Sequence, residues 1–308
     1  VTAGIWSAFN GTGIDNPANA IAVSGSDVYV GGTFTTAGSV TANRIAKWNA
    51  VTNTWSALGT GVTASNTSIN AIAVAGNKVF AGGTFTSIGG VTASNIAVWN
   101  GTNWAALGTG VNASVTAIIA RGEDIYVGGS FQSAGGVPAN RVAKWNGLSW
   151  SGLDSGIIPN TVSSMAFMGD DLYVGTGTTS VANPAYFTKY DGTAWTALGA
   201  DLGDRGVSSI AVSGTDVYVA GGFTTINGVT VNNIAKWNGS SWSALGNGLP
   251  SASGQFGGIR IAITGTDVIA TGDFTAATGG PADRIAIWNG TAWSGLSTGI
   301  NANGSTLT

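Results

Sequence analysis

A hairpin motif that recurs in six consecutive units is the strongest constraint on how this chain can fold. Its clearest copy is Ile234-Ala-Lys-Trp-Asn-Gly-Ser-Ser-Trp-Ser-Ala-Leu-Gly246, in which an Asn-Gly turn separates two short strand-like pieces. The second tryptophan of the motif recurs every 45 to 51 residues along the chain. A period of this length is typical of repeat architectures. Copies of this tryptophan stand at Trp6, Trp55, Trp104, Trp150, Trp195, Trp242 and Trp293.

Each unit contains four pieces that have the pattern of strands. In the first unit these are Ile21-Ala-Val, Asp27–Phe34, Arg44–Asn49 and Trp55–Gly59, separated by glycine-containing turns and one Gly-rich connection. Apolar residues alternate within the pieces, which favours strands, and helical spacing is missing, so we expect almost no helix. Asn-Gly or Asp-Gly between the last two pieces predicts a tight hairpin turn, because both residues tolerate a positive φ.

Four short strands per unit, repeated six times, are typical of a β-propeller. We predict an all-β, single-domain chain over residues 1–308, a six-bladed β-propeller of four-stranded antiparallel blades, with seven blades as the alternative. A single four-stranded sheet cannot bury both of its faces, and packing blade on blade does so. The predicted repeats cover residues 15–62, 63–111, 112–157, 158–202, 203–249 and 250–300.

Residues 5–14 form a seventh copy of the fourth strand without the other three. Its apolar positions are Trp6, Phe9 and Ile14, and the sixth unit already has its own fourth strand. The extra copy could close or cap the propeller, or it could be donated to a neighbouring molecule, which would make the protein a polymerising unit. It could also mark a chain cut from a longer array of repeats.

Composition excludes several classes of function. Charged residues make up only 8 % of the chain and its net charge is -3, without any basic run, so we expect no nucleic-acid binding. No apolar stretch reaches the roughly 18–20 residues that would insert into a bilayer. The chain contains no Cys and no His, which removes thiolate chemistry, the commonest metal ligand and the usual general base.

The remaining acidic residues favour a structural role. An aspartate recurs just before the second strand, and this recurrence predicts a turn-capping carboxylate rather than a catalytic one. We therefore predict no catalytic residues, no metal and no cofactor, and hence no enzyme. The recurring positions are Asp27, Asp124, Asp171, Asp216 and Asp267.

Two further repeat positions are candidates for ligand contacts or for contacts between blades. One is the first tryptophan of the hairpin motif, which supplies a flat aromatic face. The other carries arginine in three units, which could stack on tryptophan as a cation–π pair or provide planar donors for a sugar. These candidates are Trp48, Trp99, Trp145, Trp237, Trp288, Arg44, Arg141 and Arg284.

The Val-Gly-Gly-Thr-Phe and Trp-Asn-Gly-x-x-Trp-x-x-Leu-Gly patterns resemble the kelch-like propeller repeats of the galactose oxidase central domain and of secreted cortical-marker proteins. The resemblance covers about residues 5–300. It implies a propeller, whereas the copper chemistry of the oxidases uses His and Cys ligands that this chain lacks.

Taken together, these features predict a non-enzymatic extracellular protein, secreted or on the cell surface, rich in Gly, Ser, Thr and Asn. The expected role is a structural or protein-interaction module, and a surplus strand suggests a self-assembling surface or filament component. The alternative is a lectin with repeated carbohydrate sites between blades. The expected partners are accordingly other protein chains, including copies of itself, or surface glycans.

Overall fold

A computed structural model describes residues 13–153, 160–177, 186–199, 202, 206–250, 258–274, 276–277, 280–281 and 284–295. These residues form six four-stranded antiparallel sheets, the blades, each with its strands side by side in chain order. The described residues contain no helix, and so none that could span a membrane. The fold is all-β and is a six-bladed β-propeller, which confirms the prediction.

The strands follow the repeats read from the sequence. Blade one consists of Ala18–Ser24, Asp27–Gly32, Ile45–Asn49 and Thr54–Ala57. Blade two consists of Ser68–Ala75, Lys78–Thr84, Ile96–Trp99 and Trp104–Ala106. Blade three consists of Val115–Arg121, Asp124–Gly129, Val142–Trp145 and Trp150–Gly152. Blade four consists of Val162–Met168, Asp171–Thr176, Phe187–Tyr190 and Trp195–Gly199. Blade five consists of Val207–Ser213, Asp216–Gly221, Ile234–Trp237 and Trp242–Ala244. Blade six consists of Arg260–Thr264, Asp267–Thr271, Ile285–Trp288 and Trp293–Gly295.

The Gly-rich connection between the second and third strands is itself a small hairpin, which the sequence did not reveal. Its strands are only two residues long, and a Gly in the turn has a positive φ, as at Gly38 and Gly89. Two-residue ladders are too short to show an alternating pattern. The five described hairpins pair Thr36–Ala37 with Val40–Thr41, Ser87–Ile88 with Val91–Thr92, Ser133–Ala134 with Val137–Pro138, Thr225–Ile226 with Val229–Thr230, and Ala276–Ala277 with Gly280–Pro281.

The structure divides into two compact units. The N-terminal unit covers Ile5–Ser155 and contains blades one to three, and the C-terminal unit covers Gly156–Thr308 and contains blades four to six. Within each unit the first strands of consecutive blades lie next to each other. We call the side of a blade that faces the preceding blade its upstream face, and the opposite side its downstream face.

Glycine in the second strand allows the blades to pack closely. A Cβ atom at Gly31 would stand 2.4 Å from Ile69 Cγ2 and 2.9 Å from Ile72 Cδ1 of the next blade. At Gly82, the same Cβ would meet Val115 and Ile118. The first strand of each of these blades therefore rests on bare backbone of the preceding blade, which explains the recurring Gly-Gly dipeptide.

The tryptophan of the fourth strand joins consecutive blades by a buried hydrogen bond. Its indole N–H donates to the backbone carbonyl of the leucine at the end of the fourth strand, or directly after it, in the preceding blade. Three of these bonds are buried and the one from Trp242 is part-buried, so they satisfy polar atoms that would be costly to bury alone. The bonds run from Trp104 to Leu58 (2.7 Å), Trp150 to Leu107 (2.8 Å), Trp242 to Leu198 (3.0 Å) and Trp293 to Leu245 (2.8 Å).

The hairpin between the third and fourth strands differs from the predicted two-residue Asn-Gly turn. The loop has four residues, and only the glycine has a positive φ, for example 100° at Gly101. The preceding Asn100 instead accepts the backbone N–H groups of Thr102 (2.9 Å) and Asn103 (2.8 Å) with its side-chain oxygen. The side-chain oxygen of this residue therefore stabilises the turn.

Replacing Trp104 by Phe should destabilise the protein by about 1–3 kcal/mol, because the aromatic packing stays while the Leu58 carbonyl loses its donor. Denaturant unfolding of the purified protein measures this difference. Trp99→Phe is the matched control, since no described acceptor meets the Trp99 indole N–H. Equal losses for the two variants would show that ring size, and not the hydrogen bond, links the blades.

A second prediction concerns Asp191, which takes the place of Asn in the blade-four turn. The backbone N–H of Ala194, followed by the Thr193 hydroxyl and N–H, lowers the pKa of Asp191 from 3.8 to about 2. The folded-state pKa is below the unfolded value, so the stability that this carboxylate contributes is complete above pH 3.8 and is lost as the pH falls towards 2. Asp191→Asn should therefore flatten the dependence of unfolding free energy on pH between these values.

The reciprocal substitution Asn146→Asp, in the equivalent turn of blade three, should steepen the same dependence. Urea unfolding at a series of pH values checks both variants. Parallel pH profiles for the wild type and Asp191→Asn would show that the turn hydrogen bonds do not control the ionisation of this residue.

Candidate functional site

The first tryptophan of each hairpin motif packs across the sheet against the second one. The ring centroids of Trp48 and Trp55 lie 5.2 Å apart, and the distances in the other Trp pairs are 5.1 to 5.5 Å. Trp48 and Trp288 are buried, while the other three members are half-buried. The half-buried members, which retain a face for contacts with a neighbour or ligand, are Trp99, Trp145 and Trp237.

The arginine position has a backbone role. Arg44, Arg141 and Arg284 have φ values of 64° to 67°, in the left-handed region, and Asn95 and Asn233 take the same conformation in other blades. Asn is among the residues that adopt this region most readily after Gly, which explains the Asn in blades two and five.

The side chains at this position reach the loop that leads to the next blade. Arg44 donates from Nε to the carbonyl of Thr67 (3.4 Å) and from Nη2 to that of Ala64 (3.2 Å). Asn95 and Asn233 donate to the carbonyls of Val111 (2.9 Å) and Leu249 (2.7 Å). In blade three, Arg141 Nη1 donates to Asn140 Oδ1 at 2.9 Å. The donors of Arg44 therefore serve contacts between blades and are not directed at a ligand.

An ion pair covers the downstream face of four blades. The recurring aspartate, which the sequence suggested as a turn cap, binds the lysine of the third strand beside a tyrosine. The partly exposed Lys–Asp contacts contribute little stability individually. The hydrogen bonds that Lys144 and Lys189 donate to Asp124 and Asp171 nevertheless raise the pKa of the two lysines. The pairs are Lys47–Asp27 (3.2 Å), Lys144–Asp124 (2.6 Å), Lys189–Asp171 (2.8 Å) and Lys236–Asp216 (3.1 Å).

Blade two has other residues at all three positions of this aspartate, tyrosine and lysine set. Lys78 stands in the place of the aspartate, Phe80 in that of the tyrosine, and Val98 in that of the lysine. Register confirms the equivalence, since Val98 pairs with Phe80 as Lys47 pairs with Tyr29. The downstream face of blade two is therefore apolar where the equivalent face of its neighbours carries an ion pair.

A groove lies between this apolar face and blade three. Its cavity volume is about 410 Å³, within the range of small-ligand sites. The floor consists of Phe80, Val98, Ala106, Leu107 and Trp145, all apolar side chains. Asn77, Lys78 and Glu123 stand exposed at the rim, so that a positive and a negative charge flank the apolar floor.

The equivalent groove between blades one and two is smaller and more polar. Its volume is about 270 Å³, and Tyr29, Lys47 and Ser56 of blade one line it opposite Asn77 and Trp99 of blade two. The ion pair with Asp27 fixes Lys47 on the blade-one side of this groove. The two grooves share one architecture, and the substitutions in blade two account for the difference in size and polarity.

Chemically, these grooves offer apolar contact area, hydrogen-bond groups and isolated charges. Among the described residues, no three Asp or Glu side chains come together as a cluster that could hold a metal ion. The arrangement is thus suited to binding. Sequence reasoning selected Trp145 and Trp99 but missed Lys78, Phe80 and Val98, although a comparison of the repeat columns shows that unit two alone changes all three.

Of the extra strand, only its last residues belong to the described part of the chain. Trp6 and Phe9 lie outside it. Ile14 forms an antiparallel bridge with Ala37, as Val111 does with Ala134 in blade three. The carbonyl of Gly13 accepts the Gly38 N–H at 2.9 Å.

Asp15 follows directly and fixes this segment to blade one. Its carboxylate accepts the Thr35 hydroxyl (2.6 Å) and the N–H groups of Thr35 and Thr36, and the pKa of Asp15 falls to about 2 as a result. Residues 13–15 thereby occupy, on blade one, the place that Gly110–Asn112 occupy on blade three, where Asn112 accepts the N–H groups of Gln132 and Ser133.

Comparison with known proteins supports the fold alone. No protein-family model and no curated protein sequence matches the chain. Among solved structures, the computationally designed protein Ika8 is similar with a TM-score of 0.53 at 15 % identity, covering 91 % of this chain and 85 % of that one.

Two natural proteins have similar TM-scores and sequence identities to this chain. A GH74 xyloglucanase from Xanthomonas campestris has a TM-score of 0.57 at 15 % identity over 93 % of this chain, which spans 46 % of the xyloglucanase. YCF48 bound to D1 peptide has a TM-score of 0.57 at 13 % identity, with 95 % of this chain and 85 % of that one covered.

Proposed function

We propose that this chain is a non-enzymatic module that binds other protein chains, including copies of itself, as a secreted or cell-surface component. The observation that carries the proposal is the groove between blades two and three. Its apolar floor lies between opposite charges, which suits a peptide segment with an apolar side chain flanked by an acidic and a basic residue. YCF48, a protein of similar fold, is seen with a bound peptide.

The surface composition supports an extracellular role. Few charges and many small polar residues give a surface without the dense Lys and Glu of typical intracellular domains. We assign the repeats to the kelch-like class on their Gly-Gly and Trp-Asn-Gly-x-x-Trp patterns. In this proposal, the propeller is a structural component of a surface layer or filament.

The second candidate function is carbohydrate binding at repeated sites between blades. The smaller groove favours it, because the half-buried Trp99 lies beside Lys47, Ser56 and Asn77. A flat aromatic face next to amide, hydroxyl and ammonium groups complements the apolar and polar faces of a sugar ring. The same tryptophan position lines the larger groove as Trp145.

The triple variant K78D/F80Y/V98K should weaken peptide binding, because it introduces the Asp–Tyr–Lys set of the neighbouring blades and fills the groove. Selection of a phage-displayed library of random dodecapeptides on the wild type gives the probes. Individual peptides should bind the variant at least about tenfold more weakly, a change of about 1.4 kcal/mol. Its unfolding free energy should stay within about 1 kcal/mol of the wild type, since the equivalent Tyr173 and Tyr218 are as buried as Phe80 and the new ion pair is partly exposed.

The matched control is D27K/Y29F/K47V, which makes the same exchange in reverse on blade one and leaves the larger groove intact. This variant should bind all selected peptides as tightly as the wild type does. Selection that yields no peptides, or peptides that bind the triple variant as tightly as the wild type, would contradict peptide binding in this groove.

Carbohydrate binding is tested on a glycan array with Trp99→Ala beside the wild type. If the sites between blades are lectin sites, the wild type should bind defined glycans and the variant should lose at least about tenfold in affinity, because stacking area disappears. If the wild type gives no signal above background on the array, the lectin hypothesis is contradicted. The protein-binding hypothesis is not affected by that result.

A further inference from the structure

The hairpin between the third and fourth strands carries an exposed Asn-Gly dipeptide in four of the described blades. Asparagine before glycine is prone to deamidation, because glycine has no side chain to hinder attack by its backbone nitrogen. This nitrogen loses its proton and bonds to the Asn side-chain carbon, ammonia leaves, and water opens the resulting succinimide ring to aspartate or isoaspartate. The exposed dipeptides are Asn100-Gly101, Asn146-Gly147, Asn238-Gly239 and Asn289-Gly290.

The turn fixes the side-chain carbonyl of each of these asparagines. Asn146 Oδ1 accepts the backbone N–H groups of Leu148 (3.0 Å) and Ser149 (2.8 Å). Two N–H donors at this oxygen stabilise the negative charge that develops on it when the carbon is attacked, as in an oxyanion hole. The same pair of donors is present in the other three turns, at distances of 2.8 to 2.9 Å.

The nucleophile and the leaving group of these four turns are both accessible. Within the part of the chain that the structure describes, the glycine N–H groups donate no hydrogen bond. The same holds for the side-chain Nδ2 groups of the four asparagines, from which ammonia would leave. Nothing among these residues therefore has to be broken before the ring can close.

Two other Asn-Gly dipeptides among the described residues lie in different surroundings. Gly248 is buried and its N–H donates to the Leu245 carbonyl (3.0 Å), so the nitrogen that would attack Asn247 is engaged. Asn227 has a φ of 47°, and its Nδ2, the leaving group, donates to the Leu198 carbonyl (3.2 Å). The dipeptide is the same in all six places, and only the local structure differs.

Blade four shows which product of the reaction the turn accepts. It carries Asp191 at the Asn position, and Oδ1 of this carboxylate accepts the N–H groups of Thr193 (2.8 Å) and Ala194 (2.8 Å). An aspartate formed by deamidation keeps the same acceptor. Isoaspartate instead routes the backbone through the side-chain carbon, which adds a methylene group to the loop and displaces the acceptor.

We propose that Asn100, Asn146, Asn238 and Asn289 are sites of spontaneous deamidation, and that the folded turns retain the aspartate product. Each conversion adds one negative charge to a chain whose net charge is only -3. The hairpins therefore become more acidic as the protein ages. The modification is independent of the proposed binding function, although the Asn146 turn borders the larger groove through Gly147.

The six described dipeptides allow the test to be made within one protein. The wild type is incubated for several weeks in mildly alkaline buffer, either folded or unfolded in guanidinium chloride, and peptide mass spectrometry follows deamidation at each site. In the unfolded chain all six sites should react at similar rates. In the folded protein the four hairpin sites should deamidate at least about tenfold faster than Asn227 and Asn247, a difference of about 1.4 kcal/mol in activation free energy.

Rates in the folded protein that differ by less than this between the two groups of sites would overturn the proposal. So would hairpin sites that do not react while the unfolded chain does.

Retention of the product is tested with two quadruple variants, in which the four hairpin asparagines are replaced by Asp or by Ala. The Asp variant should unfold at the same denaturant midpoint as the wild type at neutral pH, because its carboxylates accept the same N–H groups. The Ala variant should unfold at a lower midpoint, since it has no acceptor. An Asp variant as unstable as the Ala variant would overturn the retention of aspartate in these turns.

Discussion

The structure depends on one interaction that is repeated from blade to blade. The first strand of a blade packs its apolar residues on a glycine of the preceding blade, and the tryptophan of its fourth strand donates a hydrogen bond to a leucine carbonyl there, as Trp104 does to Leu58. A four-stranded sheet has two apolar faces and cannot bury them alone. The glycine of the second strand, the tryptophan of the fourth strand and the leucine at the end of that strand all serve this contact.

The proposed binding groove lies where the residues of one blade differ from the repeat pattern. The Asp–Tyr–Lys set on the downstream face has no required role in joining blades, so it can change without loss of the fold. In blade two its replacement by Lys78, Phe80 and Val98 opens a groove with an apolar floor. In blade six the same two positions hold the isoleucine pair Ile269 and Ile287. Variation at these positions thus determines how polar the downstream face of each blade is.

Much of the fold could be predicted from the sequence, because the repeat period, the alternation of apolar residues and the turn residues directly indicate strands. The blades and their order follow from the recurring Trp. Only the type of hairpin turn was predicted wrongly, because a four-residue loop stabilised by the Asn100 side chain has the same sequence pattern as an Asn-Gly turn. The grooves could not be predicted in the same way. The contact of Phe80 and Val98 with the groove that Trp145 also lines depends on how the blades pack. The left-handed backbone conformation of Arg44 cannot be predicted from its side chain.

The position of a bound peptide tests most directly whether the substitutions in blade two create a binding groove. A crystal structure of the protein with a peptide selected from the library measures it. The account predicts that an apolar side chain of the peptide lies on Phe80 and Val98, opposite Trp145, with charged residues of the peptide beside Lys78 and Glu123. A peptide bound at another surface, with this groove empty, would contradict the account.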